Sequence, residues 1–275
     1  MCYDYKNDVF IIVDLQIEYI GENDMNEIKA LCKVYLVNTL SNKFVFLFNL
    51  VLPTIYFLYK NIRYLSQPKV AFSHQTMMVI SYFWAYIIMV TLLNNVIVAI
   101  ISQRENGFYK QLFFIVGSKW KILIANFLVQ LVILNGELLI FNLVVIGVTH
   151  NVHISLLIAG MIATLSVAVP VTFISSLLFL LKVKIESINV LVSILLFVLF
   201  ITMNLPKSYA MGDLLTLLNP ITYIVDTSYQ LLSFFFNHVI QGAVTARLGI
   251  VTIIYLVIGW FAISRLTVHS IVDRV

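Results

Sequence analysis

Long apolar runs alternate with short polar breaks along this chain, and run length decides how each is read. Six runs approach or exceed the roughly 20 residues that cross a bilayer as a helix. They fall at about Phe44–Tyr59, Met77–Ile101, Ile122–Val148, Ile154–Leu181, Ile188–Met203 and Ile250–Leu266. Pro53 and Pro170 lie inside two of them, where neighbouring helices satisfy the freed backbone groups. In the stretch 25–43, Ile28, Leu31, Cys32, Tyr35 and Thr39 recur at helical spacing, while Lys29 and Lys33 occupy another face. That pattern predicts an amphipathic helix lying on the membrane surface, with an extension of the first span as the alternative. Residues 207–244 are apolar but broken by Gly212-Asp213, Asn219-Pro220, Asp226 and Asn237-His238. They predict short half-buried helices that dip in from one side before the last span.

The longest charged break runs from Ser102 to Lys121 and holds Arg104, Glu105, Lys110, Lys119 and Lys121. Two glycines bracket an amphipathic segment, Phe108 to Val116. Phe108, Leu112 and Ile115 share one face, Phe113, Phe114 and Val116 widen it, and Lys110 and Gln111 point elsewhere. Gly107 suits a strained turn into this helix, Gly117 its C-cap, and Ser118 the N-cap of the next span.

Composition supports a membrane protein. Hydrophobic residues make up 61% and charged residues 11% of the 275, against about 25% charged in soluble domains; mean hydropathy is +0.99. The chain is therefore read as an all-α polytopic membrane protein with a transmembrane domain over 44–268 and a tail over 269–275. Cys2 and Cys32 are too few for a disulfide framework. The N-terminus carries no basic region before a short apolar stretch, so no cleavable signal peptide is expected.

Charge sets orientation. Residues 1–24 hold six of the 13 acids and one base, and without them 16 bases face 7 acids. Two readings stand for them. One is an acidic cytosolic extension. In the other, Met25 is the true start and the Gly21-Glu22 codons carry a ribosome-binding sequence. Placing both termini and the 102–121 and 182–186 breaks in the cytosol gives that side eleven Lys and Arg: Lys29, Lys33, Lys43, Arg104, Lys110, Lys119, Lys121, Lys182, Lys184, Arg265 and Arg274. The other side has five: Lys60, Arg63, Lys69, Lys207 and Arg247. The positive-inside rule favours this arrangement, and Tyr109 and Trp120 fall at the depth of an aromatic belt.

Several chemistries have no carrier. The sequence holds no G-x-x-x-x-G-K-[ST] loop, no H-E-x-x-H pair and no G-x-S-x-G elbow. His150 and His153 are close, but two ligands do not make a metal site. No nucleic-acid partner is expected. Glu137 is the one acid deep in a span, so it should face protein or water. Together with Asn135, Asn126, Asn94 and Asn95 it is a candidate lining for a substrate path. Interhelical hydrogen bonding is the competing reading.

At Arg104-Glu105-Asn106-Gly107, followed by Lys110-Gln111-Leu112, the chain resembles permeases of the ABC type-2 family, exporters of drugs, peptides and polysaccharides. Leu218-Asn219-Pro220-Ile221-Thr222-Tyr223 resembles a stretch that the family often carries after its fifth span, and the layout is similar from Met25 onward. At Val116-Gly117-Ser118 the chain departs from the Thr-Pro of many members. The resemblance implies that the 104–117 segment is a coupling helix docking on a separate cytosolic ATPase pair that holds ATP and Mg. Arg104, Glu105, Gly107, Phe108, Lys110, Leu112 and Gly117 are then the coupling residues. Arg104 and Glu105 would pair with the ATPase or brace the second span. Asn219, Pro220 and Tyr223 form the outer-helix motif. The resemblance also implies a second permease copy or sister permease and a bacterial cell membrane. The expected activity is export of an amphipathic or hydrophobic peptide or drug, by a subunit that is not itself an enzyme. A polysaccharide or lipid exporter permease and a non-transporting scaffold or sensor are the alternatives.

Overall fold

The computed structural model describes residues 24–41, 43–62, 72–181, 183, 185–203, 216 and 218–270, which form helices and no strand. In chain order these include α1 (Asp24–Ser41), α2 (Lys43–Lys60), α3 (His74–Glu105), α4 (Phe108–Val116), α5 (Lys119–Thr149), α6 (Ile154–Leu180), α7 (Ile185–Met203), α8 (Pro220–Asn237) and α9 (Gly242–Ser264). The acidic 1–23 stretch, Arg63, Lys69, Lys207 and Gly212-Asp213 lie outside the described residues.

Four helices, α3, α5, α6 and α9, are long and apolar enough to cross a membrane. The other two expected spans are shorter helices, with 18 residues in α2 and 19 in α7. The most apolar stretch of α3 is 72% buried against 28% for α9, so α3 is the central post and α9 a flank. Ser73 starts α3 by accepting a hydrogen bond from the Thr76 amide. Large apolar side chains cover the outside, among them Val132 on α5 and Ile253 and Val257 on α9, each more than 60% exposed. An apolar exterior of this extent fits a lipid surrounding.

Polar side chains are also buried, and several of them bond between helices. Trp84 of α3 donates to the Asn142 side chain of α5 at 2.8 Å. An aromatic trio, Phe57, Phe83 and Phe141, joins α2, α3 and α5 with centroids 5.3–5.6 Å apart.

Residues 92–98 of α3 wind as a π-helix. Widening a helical turn upsets the regular carbonyl pairing of the α-helix. Here the Asn95 carbonyl accepts from the Asn126 amide of α5 at 3.3 Å.

Three expectations need correction. The apolar stripe of α1 lies on α5 and the foot of α3, with Leu31 and Tyr35 buried. Tyr35 donates to the Gln103 side chain, and the Gln130 amide donates to Thr39. That stripe is therefore covered by protein, while Leu36, Val37 and Leu40 are the exposed apolar residues.

Next, the expectation of several short half-buried helices fails over the described residues from 218 to 244. Residues 220–237 form one 18-residue helix that packs along α3 and α6, and α9 starts at Gly242, not near Ile250. Asp226 appeared to break the apolar run, but it forms an ion pair with Arg247 between α8 and α9 at 2.6 Å. The two helices run antiparallel through a series of polar contacts: Gln241 to Gln230, Arg247 to Asp226, Thr252 to Tyr223 and Tyr255 to the Leu218 carbonyl. Tyr255 lies about 20 Å along α9 at 1.5 Å per residue, so α8 begins that far from the Gly242 end.

The Asn219-Pro220-Tyr223 motif builds this junction. Asn219 caps α8 by accepting from the Ile221 amide. Its own amide donates to the Leu199 carbonyl and Thr202 hydroxyl of α7. Pro220 takes the first helical position, where its missing N–H costs nothing. Asn219→Ala removes the cap and both ties, each worth about 1 kcal/mol. We expect a destabilisation of about 2–3 kcal/mol, read from thermal unfolding in detergent; an unchanged midpoint would contradict this role.

The third correction concerns Tyr109. It is fully buried, not placed at an aromatic belt.

Candidate functional site

The charged break between the second and third expected spans forms a tight elbow. α3 continues through Arg104-Glu105 and ends at Asn106. Gly107 then takes φ +83°, and its residue turns the chain into α4. The Asn106 side chain accepts from the Phe108 amide across this turn. After the nine residues of α4, Gly117, at φ +70°, closes the helix by donating its amide to the Phe113 carbonyl. Both glycines sit in the left-handed region that other residues enter only with strain. Ser118 precedes α5 in extended geometry, but its side chain makes no capping bond.

Arg104 and Glu105 face inward. Arg104 is fully buried, its Nε 2.7 Å from Glu105 Oε1, and its Nη1 donates to the Phe179 carbonyl at the end of α6. Glu105 Oε2 accepts from Ser270 in the segment after α9, at 2.7 Å. At the start of α5, Lys119 donates to the Leu266 carbonyl. Arg104 and Glu105 thus join the foot of α3 to α6 and to the chain after α9.

The buried face of α4 is also rotated from the expected one. Tyr109, Leu112 and Val116 are buried, Phe108, Phe113 and Ile115 are half-buried, and Lys110, Gln111 and Phe114 are exposed. Tyr109 carries most of this difference. Its hydroxyl has no hydrogen-bond partner among the described residues, and burial pushes its pKa up, opposed by the Arg104 cation. Tyr35 lies close enough to raise its own pKa by repulsion from Tyr109, after the larger effect of burial. Burying two tyrosines, a glutamine and an ion pair behind α4 makes the elbow a rigid joint. The helix presents one exposed strip, with Phe114 71% exposed and the Lys110 ammonium 5.8 Å from its ring.

The intramembrane polar residues divide into two groups. Glu137 is buried and accepts from the Thr91 hydroxyl of α3 at 2.7 Å. Asn126 bonds the Asn95 carbonyl. These two join α5 to α3 beside the π-helix. Asn135 instead donates back to the Leu131 carbonyl of its own helix, and Asn94 and Asn95 are half-buried.

Sequence reasoning missed the partners of the buried pair. The Phe179 carbonyl and Ser270 lie 75 and 166 positions away from Arg104 in sequence. The available signal was Gln103-Arg104-Glu105 itself, three consecutive polar residues at the foot of an apolar helix.

No protein-family profile matches the chain, and no curated protein matches it either.

Proposed function

We propose that the chain is the membrane subunit of an ABC exporter, with α4 docking on a separate cytosolic ATPase that supplies the energy. The observation that carries this reading is the elbow. A short helix fixed by two left-handed glycines exposes Lys110, Gln111 and Phe114, while a buried ion pair locks its base to α6 and the chain after α9. A push on the exposed strip would reach three other elements through that base. In this reading α2 and α7 complete six spans with both termini cytosolic. An 18-residue helix is about 27 Å long, close to the hydrocarbon thickness of ~30 Å. The cargo is an amphipathic or hydrophobic peptide or drug, moved by a pair of such subunits.

Arg104 and Glu105 belong to the joint, so docking is tested on the exposed strip. Affinity capture from native membranes should recover an ATPase with a Walker motif. Lys110→Glu with Phe114→Ala should reduce recovery at least about tenfold, as expected for losing an aromatic anchor and reversing a charge. Gly107→Ala should strain the turn by about 1–2 kcal/mol and weaken capture with the strip intact. Equal ATPase recovery from all three proteins would refute the docking assignment.

A further inference from the structure

A groove between α2, α3 and α7 lies outside everything assigned above. Its volume is 680 Å³, and none of the residues lining it is acidic. One end is polar: Lys60 and Asn61 at the end of α2, and Gln75 in the first turn of α3. The rest is apolar and aromatic, with Leu52, Phe83 and Phe200 as walls and Tyr86 6.0 Å from Phe200 across the groove.

Three features point to an occupant. The first is charge. Lys60 has no acidic partner among the described residues, and its ammonium sits 5.7 Å from the Tyr56 ring. The residues between α2 and α3 in sequence add Arg63 and Lys69 and no acid. The second is polarity along the length: beyond the polar end, Val79, Phe83, Phe200 and the rings of Tyr82 and Tyr86 give a wall that suits a hydrocarbon chain. The third is length. Gln75 to Tyr86 spans about 16 Å of helix, close to half of the ~30 Å hydrocarbon core, which is one leaflet.

We propose that this groove binds an anionic phospholipid of the bilayer, with its phosphate at Lys60 and one acyl chain lying against Tyr82, Phe83, Tyr86 and Phe200. The proposal goes beyond the exporter reading and uses only its topology, which puts the Lys60 end at the outer face. Lysine at the head meets the phosphate, and the aromatic rings beyond it meet the acyl chain. A zwitterionic lipid has the same chain but no net charge for Lys60 to attract.

The test needs no ATPase, so its failure is separable from failure of the exporter reading. The full chain is placed in nanodiscs of phosphatidylcholine containing a trace of phosphatidylglycerol with a diazirine on one acyl chain. After photolysis, labelled peptides are mapped by mass spectrometry. We expect labelling of 52–60 and 79–86 above that of the exposed faces at Val132 and Ile253. Lys60→Gln should cut groove labelling about fivefold, the worth of one cation beside an anionic headgroup, while Lys60→Arg should retain it. Unlabelled phosphatidylglycerol should compete; inorganic phosphate should not. Lys60 ends an exposed helix terminus, and unchanged labelling at Val132 in the variant checks its fold. Equal labelling by a phosphatidylcholine probe, or no effect of Lys60→Gln, would overturn the proposal. An unlabelled groove would also overturn it and assign the space to a second copy or to other residues of the chain.

Discussion

Arg104→Met should destabilise the purified chain by about 3–5 kcal/mol, the cost of leaving a buried charge without its partner. Glu105 is nearly as buried as Arg104, and the substitution takes away the guanidinium that faces it. The Phe179 carbonyl loses its donor as well. The double variant Arg104→Met with Glu105→Gln removes both charges and should recover most of the loss, because replacing a whole buried pair is often neutral. The comparison is made by thermal unfolding in detergent. A single variant as stable as the double would mean the pair does not brace the joint. The single variant should also weaken ATPase capture, since α4 would lose its fixed base.

Gly259→Ala should separate α9 from α6. A Cβ at this position would fall on the Phe173 carbonyl and its neighbouring carbons. Backbone cannot swing aside as a flexible side chain can, so α9 must move outward. Small residues let membrane helices approach this closely, and overpacking such a contact costs about 1–3 kcal/mol. The shift would also break the bond from Ser176 to the Gly259 carbonyl, now 3.3 Å. Because α9 leads into the Leu266 and Ser270 contacts with the elbow, the damage should extend there. Gly249→Ala on the same helix meets nothing within 4 Å and should be silent. Unfolding midpoints and crosslinking between cysteines placed on α6 and α9 report the effect. Equal behaviour of the two variants would contradict the close contact.

Much of the helical layout was legible because hydropathy and run length carry it. The turns at Gly107 and Gly117 were legible because few residues tolerate a positive φ. What sequence hid was pairing across space. Asp226 looked like an interruption until Arg247 neutralised it. The α1 stripe looked like a lipid-facing one because periodicity reports an apolar face without reporting what covers it; α5 covers it. In α4, Tyr109 counted as an interfacial aromatic, yet the elbow turns it inward with Leu112 and Val116. Arg104-Glu105 read as a pair for the ATPase or a brace for the second span, and only the fold brings Phe179 and Ser270 to it. The π-helix at Leu92–Val98 had no sequence signal beyond Asn94-Asn95.

The docking role of α4 is tested most directly at Phe114, its most exposed large side chain. A photocrosslinking amino acid is placed there in the full chain, in native membranes, and the adduct is sequenced. The account predicts a covalent adduct with a Walker-motif ATPase, absent when the crosslinker replaces the buried Leu112 instead. Adducts with lipid alone at Phe114, in membranes that contain such an ATPase, would contradict it.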